Sequence, residues 1–201
     1  MIDLSFELEG DRIPLDYGYA LFSALSRVVP RLHGDLRVGV HPIRGVRREP
    51  RVLTLVPASR LRLRLPPEDL VSYIGLAGAH LDLEGFSLRI GIPRVESLVP
   101  SASLTSRIVT IKGAQELDTF GAAVRRQLAE AKISAEPVLE GEAAAGGPAR
   151  RVFRIKDRRL IGFSLRVVGL TAEESLRLQE CGLGGRRRMG CGVFIPVVQR
   201  S

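Results

Sequence analysis

Apolar and polar residues alternate from Ile2 to Glu9, with Ile2, Leu4, Phe6 and Leu8 on one side, the period-2 mark of a strand buried on one face. The period then lengthens. Tyr17, Ala20, Leu21, Ala24, Leu25 and Val28 recur at helical spacing and predict a helix over 16–29, stopped by Pro30. Residues 37–43 and 51–56 read as strands separated by a basic turn at 44–50. The run Arg60-Leu61-Arg62-Leu63-Arg64-Leu65 is a strict alternation with arginines on one face. Pro66-Pro67-Glu68-Asp69 opens a short helix through about residue 78, and 80–93 reads as one long strand or a hairpin bent at Gly85. The order is β-α-β-β-α-β, a ferredoxin-like unit.

The second half repeats that order. A strand is expected over 103–112 and an amphipathic helix over 115–131, through Leu117, Phe120, Ala123, Val124 and Leu128. Two strands, 152–156 and 160–169, flank the tight basic turn Asp157-Arg158-Arg159. Thr171, with Glu173 and Glu174 behind it, marks a helix start over 171–181. A last strand is expected over 192–199, and the low-complexity run 140–149 is a loop without chemistry. The expected fold class is α+β, two tandem ferredoxin-like (RRM-like) domains at 1–96 and 103–201. One larger α+β domain is the alternative.

Charge changes the picture. The 201 residues carry 30 Lys+Arg against 22 Asp+Glu, a net charge of +8, and 27 of the basic residues are Arg. Residues 1–100 hold 13 Arg against 12 acids, whereas 101–201 hold 17 basic residues against 10 acids. Such an excess suits a polyanionic partner, and the planar guanidinium suits phosphate. No apolar run reaches the roughly 20 residues of a membrane span, and the opening MIDLSFELEGDR is not a signal peptide. Two cysteines, Cys181 and Cys191, form neither a disulfide framework nor a usual zinc knuckle. These features predict a cytoplasmic protein without a membrane, metal or small-molecule cofactor.

The most informative stretch runs from Cys181 to Pro196. Gly182, Gly184, Gly190 and Gly192 form G-x-G-x5-G-x-G around Arg186, Arg187 and Arg188. Successive glycines let another backbone approach closely, or let N–H groups converge on an anion. The segment follows a helix and precedes a strand and lacks Gly-Lys-Ser/Thr, so it is neither a Walker loop nor a dinucleotide fingerprint.

A helix leading into this glycine pattern and a terminal apolar strand resembles the RAMP superfamily of CRISPR-associated proteins. More narrowly, the chain resembles the metal-independent endoribonucleases that process CRISPR precursor RNA. Ile13-Pro14-Leu15-Asp16-Tyr17 leads into the first helix, and Val29-Pro30-Arg31-Leu32-His33-Gly34 follows it, where that family places its catalytic histidine. The resemblance is carried by about residues 13–45 and 160–198. It implies 2′-OH attack on the adjacent phosphodiester, giving a 2′,3′-cyclic phosphate and a 5′-OH. It also implies CRISPR repeat RNA, as a stem-loop, for a partner, together with other subunits of an effector complex. A non-catalytic subunit that grips guide RNA is the alternative within the superfamily.

That reaction needs proton transfer at the 2′-OH and at the 5′-oxygen, and histidine suits both because its ordinary pKa lies near neutrality. The resemblance makes His33 the first candidate. His41 is the reserve, with a packed histidine as its competing reading, and His80 is structural. The family often pairs its histidine with a tyrosine and a lysine. Here Ser26 stands where the tyrosine would align, no Lys occurs in the first half, and Tyr17 lies near the helix start. Arg37 is the candidate cation in place of lysine. For RNA contact the candidates are Arg44, Arg47 and Arg48, the predicted hairpin Arg150, Arg151, Arg154, Lys156, Arg158 and Arg159, and the glycine segment with Arg186, Arg187 and Arg188. Aromatics make up 5% of the chain and Trp is absent, so recognition by stem shape and backbone is expected over base stacking.

Overall fold

The computed structural model describes residues 1–141, 150–155 and 158–197. Residues 142–149 of the expected loop 140–149, the RNA-contact candidate Lys156, Asp157 of the basic turn, and the end of the expected last strand lie outside them; Glu140 belongs to a strand. The chain divides into two compact units, Met1–Ser97 with 154–156 in one, Leu98–Phe153 and 157–201 in the other.

In the first unit, β1 (Ile2–Glu9) is the alternating strand. A three-residue strand the pattern did not reveal, β2 (Arg12–Pro14), precedes α1 (Gly18–Val28). The helix buries Leu21, Phe22, Ala24 and Leu25, and Pro30 diverts the chain into a 3₁₀ turn, Pro30–His33. Then come β3 (Gly39–Val40), β4 (Val46–Glu49), β5 (Val52–Thr54) and β6 (Arg60–Leu65). A 3₁₀ turn, Pro67–Asp69, leads into α2 (Leu70–Ile74), and β7 (His80–Leu83) and β8 (Phe86–Ser97) form the hairpin bent at Gly85. The sheet order is β3-β6-β1-β8-β7. Without its edge strand β7 this is the ferredoxin-like arrangement, the two outer βα connections bringing the first and third strands together at the centre.

β2, β5 and β4 form a separate three-stranded antiparallel sheet. The expected basic turn at 44–50 is therefore partly a strand, because Val46 and Glu49 pair with Thr54 and Val52. All four β4 residues are exposed, so period-2 burial could not betray it.

The arginine alternation in β6 has a definite destination. Arg64, Arg62 and Arg60 stand opposite Asp3, Ser5 and Glu7 of β1. Arg64 donates Nε and Nη2 to Asp3 at 2.8 Å each, Arg62 pairs with Glu96 at 3.2 Å, and Arg94 of β8 reaches Glu7 at 3.5 Å. These charges tie three strands together instead of facing a polyanion.

The second unit repeats the scheme with β9 (Ser103–Val109), α3 (Leu117–Glu130), β10 (Glu136–Glu140), β11 (Arg150–Ile155), β12 (Arg158–Val168), α4 (Ala172–Cys181) and β13 (Ile195–Pro196). Its sheet runs β10-β12-β9-β13, the same order of first, second, third and last strands as in the first unit, with β11 paired to β12. The sequence reading missed β10, whose apolar Val138 is exposed, and began the last strand at 192, three residues before β13. Phe120 of α3 meets Phe163 of β12 with ring centroids 4.7 Å apart, in a core with Leu104, Val124, Leu128, Leu165 and Phe194. Each such side chain contributes roughly 1.5–3 kcal/mol on burial. Thr171 caps α4 as expected: its Oγ1 accepts the Glu174 N–H at 3.2 Å, and Glu174 Oε2 accepts the Thr171 N–H at 3.0 Å. Among the described residues no helix is long and apolar enough to cross a membrane.

Candidate active site and nucleic-acid interface

α1 ends when the Val29 N–H bonds to Leu25 O at 2.8 Å, and the chain turns at Pro30. Leu32, wholly buried, anchors the turn in the core, leaving His33 exposed at its end. The imidazole stacks on Phe22 of α1 with centroids 5.7 Å apart and planes 28° from parallel. Ser26 lies one turn along α1 from Phe22 and therefore on the same helix face. Its Oγ is buried and has no hydrogen-bond partner among the described residues.

Arg37 departs from its expected role. Its Nε and Nη2 donate to Asp35 at 3.1 and 3.0 Å, and Nη2 also reaches Asp69 Oδ2 at 2.6 Å. Arg31 donates to Asp69 Oδ1 and Ser72 Oγ, both at 2.6 Å, and lies over the Tyr73 ring. The two arginines beside His33 thus meet carboxylates before any phosphate. Burial alone would raise the Asp35 carboxyl, but hydrogen bonds from Arg37 hold it below the usual range. Tyr73, buried with its hydroxyl unbonded among the described residues, is pushed up to about 12 by burial and by the neighbouring Asp35. Asp69 escaped the sequence reading as a site residue because its pairs with Arg31 and Arg37 span 38 and 32 residues.

Two candidates are corrected. His41 is 4% exposed, with Nε2 3.3 Å from Asp3 Oδ1. An ionised carboxylate only accepts, so Nε2 is the donor. Desolvation by burial pushes the His41 pKa down, while Asp3, despite its own burial, is held well below the carboxylate range by hydrogen bonds from His41 and Arg64. His41 is a neutral packed histidine, out of reach of a ribose. Tyr17 is buried too, and its hydroxyl closes a loop by accepting the Ile43 N–H at 2.6 Å and donating to Ile43 O at 3.2 Å. It holds the strand exit and has no exposed phenol to offer.

The glycine segment is likewise built for close approach. Gly184 and Gly192 have φ of +72° and +64°, and a Cβ would stand 2.4 Å from Thr110 O in the first case and 1.9 Å from Leu183 O in the second. The N–H groups of Gly185 and Gly192 bond to Thr110 O and Ile108 O at 2.9 and 2.8 Å, and that of Gly184 to Gln127 Oε1 at 2.7 Å. Those of Gly182 and Gly190 go to Leu178 O and Arg187 O. None of these five is left to an anion, which corrects the expectation of a backbone cradle. The loop instead fixes the turn Arg187–Met189 and with it Arg186, exposed, and Arg188, half-buried; Arg187 donates to Glu180 O at 2.7 Å.

The remaining arginines separate by partner. Arg150 is engaged by Glu116, and Arg151 donates to Ser164 Oγ at 2.7 Å. Arg154, Arg158 and Arg159 are exposed. Arg44, Arg47 and Arg48 are exposed on and before β4, where the one acid, Glu49, faces Arg12 at 3.8 Å. They leave a cationic strip whose one carboxylate, Glu49, is turned to Arg12.

A family model described as Cas6, Cas6 Crispr, matches residues 2–199. The CRISPR-associated endonuclease Cas6 of Myxococcus xanthus (strain DK1622) is 41% identical over 195 residues, which cover 97% of this chain and 81% of that protein. Among solved structures, a CRISPR associated protein Cas6 superposes with a TM-score of 0.68 at 13% identity, over 98% of this chain and 99% of the other. One described as an RAMP protein binding different RNA substrates gives 0.65 at 10% identity, over 98% and 100%. At such identities the two structures speak for the tandem ferredoxin-like fold alone.

Proposed function

The chain belongs to the Cas6 family of CRISPR-associated proteins, and on that premise we propose that it is an endoribonuclease that cuts CRISPR precursor RNA within its repeats. The observation that carries the mechanism is the exposed imidazole of His33, held in one place by the Phe22 ring and a buried Leu32. His33 is the proton-transfer group for attack of a ribose 2′-OH on the adjacent phosphate. The 5′-oxygen leaves with a proton, giving a 2′,3′-cyclic phosphate and a 5′-OH without a metal ion.

Cations for the substrate come from arginines that meet no carboxylate among the described residues. Arg44, Arg47, Arg48, Arg154, Arg158, Arg159 and Arg186 supply the phosphate contacts. Their exposure supports this, as does the scarcity of aromatic side chains for base stacking. The protein acts in the cytoplasm, on a stem-loop read by shape and backbone.

Purified protein incubated in EDTA with a 5′-labelled repeat hairpin tests the reading. A single cut that leaves a 2′,3′-cyclic phosphate on the upstream fragment is the expected result. Retention of intact hairpin would instead favour a non-catalytic RNA-gripping subunit, and cutting that EDTA abolishes would contradict the metal-free route.

A further inference from the structure

The segment that carries His33 has little backbone pairing of its own: its 3₁₀ turn ends at Gly34, and β3 does not begin until Gly39. Leu32 fixes it from inside. On the outside, the nearest basic residues on either side of the histidine, Arg31 and Arg37, converge on one carboxylate. Asp69 gives Oδ1 to Arg31 Nη2 and Oδ2 to Arg37 Nη2, each at 2.6 Å, so one side chain grips both ends of 31–37. Asp35 closes the segment on itself by accepting the Arg37 N–H at 3.0 Å as well as its guanidinium. The Asp69 side chain is nearly buried, at 9% exposure, although the arginines it holds are open to solvent.

Charge separates two meanings of this cluster. Two guanidinium groups face Asp35 and Asp69, with Glu68 3.7 Å from Arg37, so the cluster as a whole is not positive. A phosphate gains little there. Geometry gains a good deal, because charge-assisted Arg–carboxylate bonds are directional and strong when partly shielded.

We propose that Asp69 is a positioning residue for RNA cleavage: through Arg31 and Arg37 it fixes the 31–37 segment and so holds the His33 imidazole against Phe22, without touching RNA. The proposal rests on the reading of His33 as the proton-transfer group. It reverses the expectation for Arg37, which acts on the histidine's position and not on the phosphate.

The test uses the full chain with D69N, D69E and R31A variants. Single-turnover cleavage at saturating repeat RNA, the RNA Kd at several salt concentrations, and the His33 ring proton shifts are measured together. In D69N and R31A the saturated rate should fall about tenfold, since misplacement of a reacting group by about 1 Å costs up to about 10². The Kd and its salt slope should stay unchanged, and the His33 ring signals, displaced by the Phe22 ring current, should move toward unstacked values. D69E, which keeps the carboxylate, should recover part of the rate. An unchanged saturated rate with unmoved His33 signals overturns the proposal, and so does a weakened Kd with a shallower salt slope, which would make the arginines RNA contacts. Should D69N fail to fold, R31A decides, because Arg31 lies at the surface and its loss leaves Asp69 paired to Arg37. Should H33A cut normally, the His33 reading falls while the ring signals of D69N still report whether Asp69 holds the segment.

Discussion

At the scale of single residues, what decides each arginine's role is the carboxylate it meets, and that is invisible in composition. Arg64 and Arg47 are the same residue type on short strands, yet Arg64 is 1% exposed against Asp3 and Arg47 is open to solvent. The Asp3–His41–Arg64 group shows the cost of this arrangement. Replacing Asp3 with Ala leaves Arg64 buried without its counter-charge and should cost about 3–5 kcal/mol of stability, read as a shift in urea midpoint. The same group makes stability depend on pH with a definite sign. His41 has a depressed pKa in the folded chain, so the unfolded chain binds the extra proton and stability declines as pH falls below about 6.5. Asp3 is depressed as well, so a second loss sets in below about pH 4, where the unfolded carboxyl protonates first. Urea midpoints measured from pH 8 to pH 4 should show the upper limb in the parent and lose it in His41→Gln. A histidine on a short apolar strand could be read either way from sequence, since the partner that settles it lies 38 positions earlier.

At the scale of elements, legibility follows burial. The strand Arg60–Leu65 declares itself by its strict alternation of leucine and arginine, and the amphipathic helix Leu117–Glu130 and the capped helix beginning at Ala172 because one face of each is packed and the other is wet. Strands β2, β4 and β10 do not: β2 is only three residues long, β4 is exposed throughout, and β10 alternates between exposed and half-buried positions without a fully buried face. The glycine pattern was legible as a constraint but not as a structure. Its N–H groups bond to Ile108, Thr110 and Gln127, which makes it the seam between the last strand and β9. Gly192→Ala therefore meets both a left-handed backbone and the Leu183 carbonyl, and should destabilise the protein by about 3 kcal/mol or more in thermal unfolding. A variant that unfolds like the parent would show that the loop is not the seam described.

At the scale of the whole molecule, a net charge of +8 does not translate into a uniform basic surface. Arg60, Arg62, Arg64 and Arg94 face carboxylates within the first sheet, and Arg31 and Arg37 meet Asp35 and Asp69. Affinity for RNA should accordingly rest on the acid-poor strip around β4 more than on the count of arginines. Changing Arg47 and Arg48 together to Gln should lower the slope of log affinity against log salt by about 1.4, roughly 0.7 per contacted phosphate of a single strand, and leave the saturated cleavage rate intact. An unaltered slope would move the RNA path elsewhere. The family and the order of elements were readable before any coordinates, because the histidine after the first helix and the terminal glycine pattern are local in sequence. The network around the histidine was not, because it is assembled from residues 31, 35, 37 and 69. The most direct measurement is single-turnover cleavage of a labelled repeat hairpin by His33→Ala at saturating protein in EDTA. A rate about 10²–10⁴ below the parent's, with hairpin affinity retained, is the predicted result; cleavage at the parental rate would contradict it.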